Sequence, residues 1–131
     1  MNPDQLILQA EEAMQAAYAP YSNYRVGAAL LCRDGTVFTG CNVENASYSL
    51  TQCAERTALH SAVAAGRTAF RAIAIAASGK PAPYPCGACR QVLAEFCRPD
   101  LPVYIAGDSG IETLTLGELL PHGFTFGYSH E

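Results

Sequence analysis

The sequence predicts an α/β protein, in which helices cover both faces of a mixed β-sheet and form an α/β/α sandwich. Three observations indicate this class. Residues 4–18 place apolar side chains at helical spacing, and residues 33–35 separate two strand-like segments as a hairpin turn does. Helical and strand patterns then alternate along the chain. Because 131 residues, half of them hydrophobic, suffice for a sizeable core, we expect one domain over residues 1–131.

The first half of the chain is predicted to form a helix and a hairpin. The helix over residues 4–18 is amphipathic and ends near Ala19-Pro20, because proline seldom continues a helix. Strands at residues 26–32 and 36–43 flank Arg33-Asp34-Gly35, where the glycine supplies the positive φ of the turn.

The second half is predicted to alternate helix and strand. Thr51 is suited to cap a helix that opens at about Gln52, and this helix stops at Gly66. Pro85 suits the start of a second helix. A buried strand is predicted at residues 70–77 and a proline-rich loop at 78–85. The second helix then covers residues 86–97, followed by a strand at 101–106 and a short helix at 116–120.

Composition excludes two classes of partner. The formal net charge is −4 and no basic run occurs, whereas a protein that binds nucleic acid normally carries a basic patch. No apolar stretch approaches the length that crosses a membrane, and residues 1–4 open a helix and not a signal peptide, so we expect a cytoplasmic protein. Residues 57–65 carry small or apolar side chains on nearly every helical face, which indicates contacts between subunits.

Three of the six cysteines have the spacing of a metal site. In a reducing compartment cysteines indicate metal binding or inert thiols and not disulfides. Cys53 lies two residues before Glu55, and Cys86 and Cys89 follow Pro85 in a Pro-Cys-x-x-Cys run. Three thiolates predict one zinc ion with a fourth position open for water. Both segments are expected at helix N-termini, whose dipoles lower thiol pKa values.

The residues beside these cysteines supply a base and a counter-charge. Glu55 is suited to move protons during a hydrolysis, and the pKa of a carboxyl in such a dry site should be raised. Three thiolates and one zinc ion sum to a charge of −1, which a guanidinium that donates to sulfur would offset. We favour Arg56 for this role, and Arg90 is the alternative.

Family motifs run in order along essentially the whole chain. They occupy residues 19–22, 26–30, 40–48, 53–58, 85–91 and 118–121. By these motifs the chain resembles the cytidine deaminase family, in its small homotetrameric type with three cysteine ligands to zinc. A Cys or His two residues before a non-ligand Glu, followed by Pro-Cys-x-x-Cys, is the wider signature of zinc deaminases.

The resemblance implies a cytidine deaminase-like fold with a mixed five-stranded sheet. It also implies zinc-dependent hydrolysis of cytidine and deoxycytidine to uridine and deoxyuridine with release of ammonia, as in pyrimidine salvage. On this analogy one zinc ion per chain is held by the three cysteines named above, Glu55 moves the protons, and Arg56 bonds to the thiolates.

The resemblance further implies seven substrate contacts. Within the chain, Asn42 and Glu44 would bind the sugar hydroxyls, the Ala54 backbone N–H would meet the base carbonyl, and Tyr24 would pack on the pyrimidine. Neighbouring subunits of a homotetramer would lend Ala46, Tyr48 and Phe124. Phe126 is the alternative to Phe124. Position 24 is usually Phe in this family, so the Tyr24 hydroxyl requires a partner of its own.

Three other interpretations compete with this one. Deaminases of cytosine-containing antibiotics of the blasticidin type share the zinc motifs, and the pair Asn42 and Glu44 favours cytidine over them. A structural zinc module would close the metal with four protein ligands, and no fourth Cys or His has helpful spacing. A thioredoxin-like redox motif at Cys86 and Cys89 explains neither Cys53 nor Glu55.

Overall fold

The computed structural model describes residues 1–126, which contain a five-stranded sheet with helices on both faces. The helices are α1 (Pro3–Met14), α2 (Ala54–Ala64), α3 (Gly87–Phe96) and α4 (Leu116–Leu119), and Tyr48–Leu50 forms a 3-10 turn. The strands are β1 (Val26–Cys32), β2 (Val37–Cys41), β3 (Phe70–Ala77), β4 (Pro102–Gly107) and β5 (Gly110–Thr115). Among these described residues, no helix is long and apolar enough to span a membrane.

The sheet is mixed and runs in the order β2-β1-β3-β4-β5. Only β3 and β4 pair in parallel, and the other three neighbouring pairs are antiparallel. The predicted α/β class with a mixed five-stranded sheet is therefore confirmed.

Alternate residues of the central strands serve two separate cores. Leu30 and Ile73 belong to the cluster that includes α2 and α3, whereas Ala29 and Ala74 belong to the cluster that includes α1. Side chains alternate across a strand, so this division places α1 on one face of the sheet and the other two helices on the opposite face. The expected three-layer arrangement follows.

Two strands and the hairpin turn match their predicted positions. Strands are observed at Val26–Cys32 and Phe70–Ala77, and Gly35 has a φ of 93° in the turn between β1 and β2. The second strand is shorter than predicted, since β2 ends at Cys41 and not at Val43. Both strands are apolar runs buried on both faces, apart from the exposed Arg71 of β3, which is the pattern of central strands.

Helix α1 is shorter than the predicted 4–18. Asn2 caps it through a reciprocal bond with Gln5, and it ends at Met14. The following residues leave the helix because Tyr18 pairs with the chain beyond β2: its N–H donates to the Asn42 carbonyl at 3.0 Å. The Tyr18 carbonyl in turn accepts from the N–H of Glu44 at 2.8 Å.

The two cysteine-bearing helices start later than predicted, and this correction matters for the site. Thr51 does not cap α2, because its hydroxyl accepts from the Asn45 N–H and Gln52 pairs with Val43. Cys53 is the N-cap residue of α2, and Cys86 is the N-cap residue of α3. Both sulfurs therefore stand at helix ends and not within a first turn.

Strand β5 was not predicted from its own residues. Its six residues are mostly exposed or half-buried and lack a clear alternation of apolar side chains. The strand exists because it pairs along its whole length with β4, from Gly110 opposite Gly107 to Thr115 opposite Pro102. Only the family resemblance implied a fifth strand.

Candidate active site

Three sulfur atoms meet where α2 and α3 begin. The Sγ of Cys53 lies 3.8 Å from that of Cys86, which lies 3.4 Å from that of Cys89, and all three lie within 4.8 Å of one another. Sulfurs bound at about 2.3 Å to a tetrahedral zinc ion would lie about 3.8 Å apart. The donor set and its spacing therefore fit zinc.

Close packing of α2 on the sheet fixes the first of these sulfurs. A Cβ atom on Gly40 of β2 would lie 2.4 Å from the Ala58 nitrogen and 2.6 Å from the Ala54 carbonyl oxygen. Only glycine allows this approach. Because α2 lies directly against the strand, the position of its first turn relative to the sheet is set by backbone contact.

Arg56 supplies positive charge to the sulfur cluster. Its Nη2 donates to the Sγ of Cys53 at 3.4 Å, and its Nε is buried without a hydrogen-bond partner among residues 1–126. The pKa of Cys53 falls to about 5 because Cys89 and Arg56 hydrogen-bond to its sulfur. A thiolate at this position is thus favoured before any metal binds.

The second candidate for this role, Arg90, has other partners. Its Nε donates to the carbonyl of Pro85 and its Nη1 to the carbonyl of Leu119, both at 2.7 Å. The contact with Pro85 fixes the segment immediately before Cys86. The geometry therefore favours Arg56 for contact with a thiolate and gives Arg90 a place in holding the start of α3.

Glu55 is a buried carboxyl in the first turn of α2. Its side chain is almost completely removed from solvent, at 5% exposure. Burial raises the pKa of Glu55 to about 7, because the charged form loses hydration, and the neighbouring Cys53 thiolate adds to this rise. A carboxyl with this pKa can both accept and donate a proton near neutral pH.

One cavity of about 330 Å³ brings most of the predicted site residues together. This volume is within the range of small-molecule sites. Its lining includes eight of the predicted residues, namely Tyr24, Asn42, Glu44, Tyr48, Cys53, Ala54, Glu55 and Cys86. Residues 81–84 of the loop between β3 and α3 also line it.

Four predicted residues lie outside this lining. Cys89 is fully buried within the sulfur cluster, and Arg56 reaches Cys53. Ala46 is exposed, and the Phe124 side chain is 67% exposed. A single chain thus does not bring Ala46 or Phe124 to the cavity.

Asn42 and Glu44 are buried and hydrogen-bond to the segment before β1. The Asn42 Oδ1 accepts from the Val26 N–H at 2.9 Å, and its Nδ2 donates to the Tyr24 carbonyl at 2.8 Å. An amide side chain has further donor and acceptor positions, so Asn42 can also bond to a ligand.

The carboxylate of Glu44 holds the adjacent turn. Its Oε1 accepts from the N–H groups of Tyr21 and Ser22, at 2.9 Å and 3.2 Å, and the Ser22 hydroxyl donates to the other oxygen. These bonds, with the Ser22 hydroxyl first among them, lower the pKa of Glu44. Glu44 is therefore a fixed anion beside the cavity.

Two polar residues with no role in the sequence analysis contact predicted site residues. Ser22 lines the cavity and binds Glu44, and the one sequence feature that pointed to it is its place in the motif at residues 19–22.

Gln91 holds the backbone of Phe124 by two hydrogen bonds, of 2.8 Å and 3.2 Å. The Phe124 ring meets Phe126 edge to face, with 5.0 Å between ring centroids.

Comparison with known proteins identifies a family that binds zinc. The family model described as cytidine and deoxycytidylate deaminase zinc-binding region matches residues 1–105. A cytidine deaminase of Halalkalibacterium halodurans is 52% identical over 126 residues, which cover 95% of this chain and 96% of the relative. A cytidine deaminase of Sporosarcina psychrophila is 49% identical over 126 residues, which cover 95% of this chain and 93% of the relative.

Two solved structures share this fold over most of the chain. The crystal structure of cytidine deaminase from Burkholderia pseudomallei superposes with a TM-score of 0.90 at 50% sequence identity, covering 95% of this chain and 100% of the other. The cytidine deaminase of Mycobacterium tuberculosis gives a TM-score of 0.84 at 39% identity, over 95% of this chain and 98% of that one. The chain belongs to the zinc-binding cytidine and deoxycytidylate deaminase family.

Proposed function

We propose that this protein catalyses the hydrolytic deamination of cytidine and deoxycytidine to uridine and deoxyuridine, with release of ammonia. The observation that carries the proposal is a buried carboxyl, Glu55, beside three clustered sulfurs in a cavity of nucleoside size. Relatives named cytidine deaminase, about half of whose residues are identical over nearly the full chain, support the same reaction.

Zinc is the cofactor, and Cys53, Cys86 and Cys89 are the residues that would hold it. When bound, zinc supplies a Lewis acid that makes water a competent nucleophile near neutral pH. Arg56 stays against the Cys53 sulfur and offsets the negative charge of the thiolates. Arg56 lies on α2 one turn after Cys53, so the helix holds the two side chains together.

Glu55 would act as the proton carrier. Its carboxyl accepts a proton from water as the water oxygen bonds to the carbon that bears the amine, and it delivers a proton to the adjacent ring nitrogen. The proton of the new hydroxyl then moves by way of Glu55 to the exocyclic nitrogen, the bond from that nitrogen to the ring carbon breaks, and ammonia leaves as the carbonyl forms. A pKa of about 7 suits both directions of transfer, because neither protonation state of Glu55 is strongly preferred at neutral pH.

The side chains near Asn42 support a preference for free nucleosides. Asn42 and Glu44 would bind the sugar hydroxyls. The Ala54 N–H would donate to the base carbonyl, and the Tyr24 ring would pack on the pyrimidine. Contacts to the sugar orient the base, and free cytosine lacks them. Residues 40–52 contain no Lys or Arg, so a phosphate on the sugar would meet the anion of Glu44 without a compensating cation.

The assembly that we propose is a cytoplasmic homotetramer in which subunits complete each other's sites. Ala46, Tyr48 and Phe124 would serve a neighbour's substrate. Tyr48 and Phe124 are each 67% exposed, which supports a place at an interface, because large aromatic side chains gain by burial there. Tyr48 also lines the cavity of its own chain. Phe124 is favoured over Phe126 because Gln91 holds its backbone by two hydrogen bonds.

Side-by-side rates test the substrate proposal. Values of kcat/KM should be measured for cytidine, deoxycytidine, cytosine, CMP and blasticidin S with the zinc-loaded protein. We expect the two nucleosides to react within about tenfold of each other, as one missing hydroxyl contact allows, and the other compounds to react very poorly. CMP reacting as well as cytidine would disprove the assignment of Asn42 and Glu44, and a preference for blasticidin S would identify the antibiotic deaminase instead.

A further inference from the structure

The hydroxyl of Tyr24 connects two walls of the cavity. Tyr24 lies in the segment that Asn42 holds before β1, and its hydroxyl donates to the backbone carbonyl of Pro81. Pro81 belongs to the loop of residues 78–85, which joins β3 to α3 and lines the cavity with residues 81–84. The hydroxyl thus has the partner that a phenylalanine would not need.

This loop can form few hydrogen bonds of its own. Pro81, Pro83 and Pro85 have no N–H, and the backbone bond found within the loop is from the Tyr84 N–H to the Ala82 carbonyl, at 2.9 Å. The position of the loop must therefore depend on contacts with other parts of the chain.

Other contacts also hold parts of this loop: Ala82 packs against the main core cluster and Pro83 is buried. Ser78 exchanges two hydrogen bonds with the backbone of Arg25, at 2.9 Å and 3.0 Å. The Lys80 ammonium and the Asp108 carboxylate pair at 3.1 Å, but both are mostly exposed and such pairs stabilise little. The Tyr84 hydroxyl donates to Glu112 of β5.

The zinc end of the loop is held independently of Tyr24. The Pro85 carbonyl accepts from the Arg90 guanidinium at 2.7 Å, immediately before Cys86. Loss of the Tyr24 hydroxyl should therefore loosen the loop around Pro81 without displacing the sulfur of Cys86. The effect on substrate binding can thus be separated from the effect on the metal site.

We propose that the Tyr24 hydroxyl is a positioning group, which holds loop 78–85 against the cavity and thereby sets the affinity for the nucleoside. The ring of Tyr24 is part of the proposed base contact, whereas the hydroxyl acts through Pro81. Partial burial of Tyr24 raises the pKa of its hydroxyl, so the group remains a donor at neutral pH. The inference about affinity rests on the proposed function, and the contact itself does not.

Tyr24→Phe tests the proposal, because it removes the hydroxyl and keeps the ring. Tyr18→Phe is the matched control, since Tyr18 is 55% exposed and its side chain lies outside the cavity lining. In Tyr24→Phe we expect KM for cytidine to rise about twofold to tenfold, as the loss of one neutral hydrogen bond implies. We expect kcat and zinc content to stay within twofold of wild type. Amide hydrogen exchange of residues 78–85 should be faster in this variant and unchanged in the control.

The two readouts separate the failure of this inference from failure of the proposed function. If the wild type turns over no nucleoside, the proposed function is wrong, and hydrogen exchange still decides whether Tyr24 holds the loop. Unchanged exchange in Tyr24→Phe would overturn the contact. Faster exchange with unchanged KM would overturn the effect on affinity, as would a loss of kcat or zinc in place of a change in KM.

Discussion

The guanidinium of Arg56 donates to the sulfur of Cys53 at 3.4 Å, from one helical turn further along α2. Because both residues belong to α2 and its N-cap, the helix itself fixes the distance between the positive charge of Arg56 and the Cys53 sulfur. It also distinguishes Arg56 from Arg90, whose guanidinium binds two backbone carbonyls.

Removal of this charge should shift the pH dependence of the reaction. In Arg56→Gln we expect the acidic limb of the pH–rate profile to move to higher pH, because Arg56 lowers the pKa values of both Cys53 and Glu55. The rate near neutral pH should fall accordingly. Arg56→Lys, which keeps the charge without the planar donor, serves as the control and should shift the profile less. An unchanged profile in Arg56→Gln would contradict the charge argument.

Each of the three clustered cysteines should be required for zinc. We expect Cys53→Ala, Cys86→Ala and Cys89→Ala to lose the metal and the activity together, because a lost ligand loosens the ion. Zinc content after dialysis and the rate with cytidine should be measured on the same samples. Cys97→Ala, at a cysteine outside the cluster, should keep both. A metal-free wild type with full activity would contradict the assignment.

The carboxylate of Glu44 should stabilise the fold in a pH-dependent manner. Its pKa in the folded protein is lowered, so its contribution is complete above the ordinary Glu pKa of about 4.3 and is lost as the pH falls through the lower folded value. Glu44→Gln should therefore be less stable than wild type at pH 7, by about 1 kcal/mol for the weakened hydrogen bonds. Urea denaturation at several pH values measures this difference, which should shrink below about pH 4. A difference that does not depend on pH would show that ionisation of Glu44 does not matter.

Sites completed by neighbours should show complementation between variants. Glu55→Ala and Phe124→Ala chains should each be nearly inactive, and co-assembled chains should regain activity. In the mixed oligomer an intact Glu55 from one chain can meet an intact Phe124 from another. Phe126→Ala is the matched control and should be active alone. Failure of the mixture to exceed both parents, despite verified co-assembly, would refute the exchange of Phe124 between subunits.

Several features of the fold and site were predictable because their physical signals are local. The runs of β1 and β3 are apolar except for Arg71, and the spacing of three cysteines around Glu55 restricts the chemistry. The starts of α2 and α3 were misplaced because Thr51 is a common cap, whereas Cys53 and Cys86 hold cap positions set by the site. Strand β5 was not predicted from its residues because its pairing with β4, and not its own apolar pattern, makes it a strand.

Other features depend on contacts between distant segments. The choice between Arg56 and Arg90 required the direction of each guanidinium, and the partner of the Tyr24 hydroxyl lies 57 residues away. The hydrogen bond of Ser22 to Glu44 depends on the folded position of the turn at residues 21–22. The periodicity of the sequence does not indicate which distant segments come into contact.

We propose that Glu55 moves protons and does not bind the metal. The most direct test is the steady-state rate of ammonia release from cytidine by Glu55→Gln, measured on protein whose zinc content is determined in the same sample. We predict about one zinc ion per chain and a rate lower by at least ~10²- to 10⁴-fold, the usual contribution of a general acid–base group. A zinc-loaded variant with a rate close to wild type, or a variant that has lost its zinc, would contradict the account.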